Sequence, residues 1–113
     1  MDQLNTYRTI IRDVLTRYYE LDLEQLSAGI EPILAFDEIR DHYFWAQVGW
    51  NQMGRTCEST VYLRIKDGKV WVEEDLTEDG VTQDLLEAGI PKHDIVLGFQ
   101  HPRERALTEF AVA

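Results

Sequence analysis

The chain has 113 residues, 44% of them hydrophobic and 11% aromatic, which supports one core rather than two lobes. Its single cysteine, Cys57, has no internal partner for a disulfide, and 21 acidic against 11 basic residues leave a net charge of −10. That sign argues against direct DNA binding, which needs clustered Lys and Arg, and suits either plain solubility or a basic protein partner.

The opening residues Met1–Asn5 lack the basic and apolar parts of a secretory signal, and no apolar run nears the roughly 20 residues that span a bilayer. With a lone thiol, this leads us to expect a cytoplasmic protein with no membrane role. Residues 3–20 then read as an amphipathic helix, because Leu4, Tyr7, Ile11, Val14 and Tyr18 recur at helical spacing. A loop follows over 21–29, with Gly29 as a stop signal.

Four strands are predicted next. Ile33–Phe36 is the first, entered through Pro32, which suits an edge or a strand start. A polar turn over Asp37–Asp41 leads to the second strand, His42–Trp50. The third runs over Thr56–Lys66 and the fourth over Lys69–Glu74. Between the last two, Asp67-Gly68 signals a tight two-residue turn, since both central positions need positive φ. That turn pairs Lys66 with Lys69, Ile65 with Val70, Arg64 with Trp71 and Leu63 with Val72. An even-numbered loop between the second and third strands would place Phe44 opposite Leu63 and Ala46 opposite Val61. Cys57, Ser59, Val61, Leu63 and Ile65 would then share one face, with Cys57 a buried thiol.

On that register the other face carries Tyr43, Trp45, Tyr62, Arg64 and Trp71. Tyr, Trp and Arg dominate binding hot spots, so this patch is the predicted surface for a partner or for a second copy in a homodimer. The acid-rich stretch Glu73, Glu74, Asp75, Glu78 and Asp79 is a second candidate, a docking site for a basic surface. Thr77 reads as the N-cap of a helix that runs to about Ala88 and buries Val81, Leu85 and Leu86. Gly89 supplies its left-handed end and Pro91 stops it. Ile95–Leu97 with Phe99 is a short apolar segment expected to be buried, and Pro102–Leu107 adds a helical turn. The whole is one α+β domain, residues 1–113: N-terminal helix, four-stranded antiparallel meander, C-terminal helix and short terminal segment.

Catalytic chemistry has one candidate locus, Asp37, Arg40, Asp41 and His42. It would make the chain a small metal-dependent hydrolase or nuclease-like enzyme. No second His stands at a ligand spacing from His42, so a capped turn with an Arg–Asp pair is the favoured alternative. His93 and His101 read as loop residues. The acidic stretch lacks the alternating ligands and central Gly of a calcium loop. No phosphate-cradling glycine loop is present, and no cofactor is expected.

The chain resembles the XisI family. The resemblance rests on Tyr7-Arg8-Thr9-Ile10-Ile11, Asp41-His42-Tyr43, Val48-Gly49-Trp50, Asp67-Gly68-Lys69-Val70-Trp71-Val72 and Thr77-Glu78-Asp79-Gly80-Val81. Most specific is the run Leu86 to Leu97, followed by Phe99 and the ending Thr108-Glu109-Phe110-Ala111-Val112-Ala113. Leu76, where a glycine often precedes the threonine, and Glu58, in a strand that is often more basic, depart from the pattern and bear on partner choice. The resemblance implies an accessory factor, not an enzyme, in control of fdxN element excision in heterocyst-forming cyanobacteria. It implies a XisH-type companion and a separate site-specific recombinase, and it brings no catalytic residues to carry over.

Overall fold

The computed structural model describes residues 2–25, 28–77 and 80–113. Helix α1 spans Gln3–Glu24, opened by Asp2, whose carboxylate accepts from the Leu4 N–H at 3.1 Å. It outlasts the expected end near residue 20 by a turn, because neither glycine nor proline interrupts the chain before Gly29. Its apolar stripe buries Tyr7, Ile11, Val14 and Leu15.

The strands are β1 (Ile30–Asp37), β2 (His42–Asn51), β3 (Gly54–Lys66), β4 (Lys69–Asp75) and β5 (Ile95–Leu97). They lie in that order in one sheet, antiparallel from β1 to β4, with β5 parallel to β4. The fifth strand is the segment expected only to be a buried apolar stretch. It pairs because a crossover through helix α2 (Val81–Glu87) carries the chain back beside β4. A 3₁₀ turn (Lys92–Asp94) precedes β5, and a single turn of helix, α3 (Pro102–Arg105), follows it. Pro32 is accommodated within β1 because that strand lies at the sheet edge.

The Asp67-Gly68 hairpin has the expected register, with φ of 54° and 78° at its two turn residues. Between β2 and β3 the register differs. The hairpin loop has the even length anticipated, with Asn51 paired to Gly54, but Thr60 has no partner on β2 and bulges out of the ladder. Its carbonyl instead accepts from the Leu76 N–H at 2.8 Å. One extra residue reverses the phase, so Tyr43 sits opposite Leu63, Trp45 opposite Val61 and Phe44 opposite Tyr62. The gain is a core built on two large aromatics beneath α1.

That core joins Tyr7, Ile11 and Leu15 of α1 to Tyr43, Trp45, Leu63 and Val72 of the sheet and to Leu85 of α2. Each large side chain so buried contributes on the order of 2 kcal/mol. A second bulge, at Glu73 on β4, follows the pair Leu63 and Val72. Thr77 does not cap α2. The helix starts at Val81 after Gly80, and the Asp75 carboxylate accepts from the Val81 N–H at 2.7 Å while Thr77 Oγ1 accepts from Gly80. Gly89 ends the helix with φ +112° as anticipated, and Ile90 is buried behind it.

Candidate functional site

Helix α1 covers one face of β1 and β2. The opposite face of β1–β3 presents Ala35, Phe44, Ala46, Val48 and Trp50, with Tyr62 and Cys57 from β3. Phe44 and Tyr62 stack with ring centroids 4.2 Å apart, and Tyr62 hydroxyl meets His42 Nδ1 at 2.7 Å. Trp50 is 63% exposed, with the Arg55 guanidinium 5.9 Å from its ring. An apolar face of this kind on a small domain is characteristic of protein recognition.

The predicted patch of Tyr43, Trp45, Tyr62, Arg64 and Trp71 is therefore split by the sheet. Tyr43 and Trp45 lie under α1, fully or nearly fully buried, because the Thr60 bulge turned them inward. Tyr62, Arg64 and Trp71 keep the other face. Trp71 is also buried there, since Arg64, Lys66 and Arg105 converge on its ring at 5.1–5.5 Å and Arg105 is anchored to carbonyls of Leu97, Gly98 and Gln100. Phe44, Val48 and Trp50 replace Tyr43 and Trp45 on the exposed side. Only the bulge, invisible to alternation, separates the two sets.

The acidic stretch is largely engaged within the fold. Glu73 Oε2 lies 2.5 Å from Arg64 Nε, as an ion pair off the line of a hydrogen bond. Asp75 holds Thr77 and Val81. Glu74 is half-buried opposite Tyr62, and Glu78 and Asp79 lie outside the described residues. Cys57, expected to be buried, is exposed, because the Thr60 bulge carries it to the uncovered face.

The polar constellation before β2 is dispersed. Asp37 caps its own turn, accepting from the Ile39 and Arg40 N–H groups at 3.1 and 3.0 Å, and these bonds hold its carboxyl below the usual range. Asp41 turns toward α1, where Arg8 grips both its oxygens at 2.7 and 3.0 Å and Tyr43 donates at 2.8 Å. The Arg8 bonds lower the Asp41 carboxyl, and burial with the Asp41 bond pushes the Tyr43 phenol up. His42 points to the other face, toward Tyr62. Among the described residues no three His, Cys, Asp or Glu side chains are grouped to hold a metal ion. His93 is exposed, and His101 caps α3 by accepting from the Arg103 N–H. No described helix is long and apolar enough to cross a membrane.

Sequence reasoning passed over a groove on the helix side. Between the last turns of α1 and the bulged part of the sheet lies a hollow of about 360 Å³, walled by Tyr18, Leu21, Trp45, Gln47, Thr60 and Leu76. A second hollow of about 270 Å³ adjoins it, lined by Asp22, Ile30, Gln47, Asn51, Thr56 and Glu58. Asp22 and Gln47 belong to both, joined by a bond from Gln47 Nε2 to Asp22 Oδ2 at 2.9 Å.

A family model described as XisI protein matches residues 1–112. The crystal structure of fdxN element excision controlling factor XisI from Anabaena variabilis is 43% identical, with a TM-score of 0.84 over 99% of this chain and 100% of that one. A XisI-like protein from the same organism is 33% identical, with a TM-score of 0.88 over the same shares. None of the curated proteins matches. With its whole length matched in sequence and in fold, the chain belongs to the XisI family.

Proposed function

We propose that the chain is a non-enzymatic accessory factor that helps control site-specific excision of a DNA element, and that it works by binding other proteins. The observation that carries this reading is the whole-chain likeness to a XisI whose description is an fdxN element excision controlling factor. The scattering of Asp37, Asp41 and His42 into separate structural tasks supports recognition over bond-making chemistry. On this reading the cutting belongs to a separate recombinase. The chain acts in the cytoplasm with a companion of the XisH type.

The uncovered face of β1–β3 supplies the surface for self-association. Phe44, Val48 and Trp50 are the side chains a second copy would bury, giving a homodimer. Co-purification with a XisH-type companion tests the role. A stable complex at micromolar concentration and low salt is expected, and its absence under those conditions counts against the reading. In a gel-shift assay the chain alone leaves DNA unshifted; a salt-sensitive shift would instead point to direct binding.

A further inference from the structure

The two adjoining hollows beside α1 differ in chemistry. The larger has an aromatic wall, Trp45 with Tyr18 stacked on it at 5.3 Å, and a rim of Leu21 and Leu76, which are 51% and 57% exposed. The smaller has two carboxylates, Asp22 and Glu58, beside the amides Gln47 and Asn51. Among the described residues neither is lined by any Lys or Arg. Asp22 lines both, so together they form an anionic groove whose apolar wall and rim lie at its larger end. Its volume suits one large aliphatic or aromatic side chain next to a long cationic one.

We propose that this groove takes a segment of a partner protein bearing a leucine-like anchor next to a Lys or Arg. The inference rests on the reading that the chain works by holding another protein, and it names where and with what chemistry. Charge complementarity selects the occupant. The anionic half would repel an acidic segment, and a purely apolar one would leave Asp22 and Glu58 without a counter-charge. For this anionic groove a second copy of the chain is the poorer match, with 11 basic against 21 acidic residues. Trp45 is 7% exposed, and its indole N–H has no acceptor among the described residues. A segment seated against this wall changes the surroundings of that N–H, which makes it a reporter.

The probe is a short fluorescein-labelled peptide with alternating Leu and Lys, titrated against the full chain and followed by anisotropy. Saturable binding is expected, with the Trp45 indole N–H resonance moving in nitrogen-15 spectra while that of Trp50 stays in place. Leu76→Asp, at an exposed rim position, and Glu58→Lys, in the anionic half, each weaken binding by about tenfold, as loss of one central contact does. Trp50→Ala, on the opposite face, leaves it unchanged. Circular dichroism checks that each variant is folded. Absence of saturable binding overturns the inference, as does equal affinity of folded Leu76→Asp and Glu58→Lys, or movement of the Trp50 resonance alone. The companion pull-down reports separately on the role. A companion held equally by wild type and groove variants removes the groove and keeps the role, whereas peptide bound in the groove without any companion complex does the reverse.

Discussion

Arg8 on α1 holds both oxygens of Asp41, a residue whose φ of +62° places it in the left-handed region at the entry to β2. A strained turn is thereby fixed to the helix by a bidentate ion pair, with Tyr43 as a third donor to the same carboxylate. Because Arg8 holds the folded carboxyl below its ordinary value, the pair stabilises the fold above the unfolded pKa and loses that effect as pH falls through the lowered one. Asp41→Asn should lower the melting temperature by about 5 °C at neutral pH. The gap to wild type should begin to close below about pH 4, where the unfolded carboxyl takes up its proton, and vanish only as pH falls through the lowered native value. A gap that widens on acidification would contradict this account.

Alkaline behaviour has the opposite sign. Tyr7, Tyr18 and Tyr43 each donate to a carboxylate, Asp94, Asp84 and Asp41 respectively. Burial first, and then these partners, push Tyr7 up to about 12 and raise the other two as well. Folding therefore favours the neutral phenols, a stabilisation intact below about pH 10 and lost above it. Tyrosinate absorbance from these residues should rise together with unfolding rather than before it. Tyr18→Phe should make the alkaline fall in melting temperature shallower.

Gly49 on β2 has φ +143°, and a Cβ there would overlap the carbonyl oxygen of Gly29. The same carbonyl accepts from the Trp50 N–H at 3.0 Å, so the loop before β1 cannot retreat without breaking that bond. Gly49→Ala should cost about 3 kcal/mol in denaturant unfolding, through backbone strain and the steric conflict. Gly54→Ala meets no neighbouring atom and isolates the strain component, because it too has positive φ. It should therefore be the milder of the two.

Cys57 provides a reading of the uncovered sheet face. An exposed thiol should react with a chromogenic disulfide in the native state, without denaturant. If two copies bury that face, the rate should fall as protein concentration rises. Val48→Lys should abolish the concentration dependence and shift sedimentation to monomer, with little change in stability, since Val48 is only half-buried. Monomeric wild type at tens of micromolar would refute the dimer.

Some elements are legible in the sequence because local chemistry alone decides them. Asp67-Gly68 dictates its hairpin because positive φ at both positions is a property of two residues, and Gly89 ends α2 for the same kind of reason. The phase of β2 against β3 is another matter. It depends on whether Thr60 stays in the ladder, and burying Tyr43 and Trp45 under a helix far away in sequence decides that. The same displacement moved Cys57 outward and divided the aromatic patch. Strand β5 is legible in the sequence as apolar but not as a strand. With three residues, it has no alternation to read, and its pairing with β4 depends on how α2 returns the chain. The groove escaped for a related reason. Its walls come from α1, β2, β3 and the segment after β4, and no stretch of sequence contains them together.

The two margins of the sheet are unlike. Beyond β5, Ala111 pairs with Val96 and its N–H donates to the Ile95 carbonyl at 2.9 Å, so the chain's own final residues occupy that border. On the far side β1 has no further strand beside it among the described residues, and Pro32 removes one donor from its middle. A ribbon that can lengthen in one direction only reaches a finished size after a single addition. Strand-by-strand growth into fibres is thereby halted at the border the last residues hold, and removing Ala111 and its neighbours would reopen it.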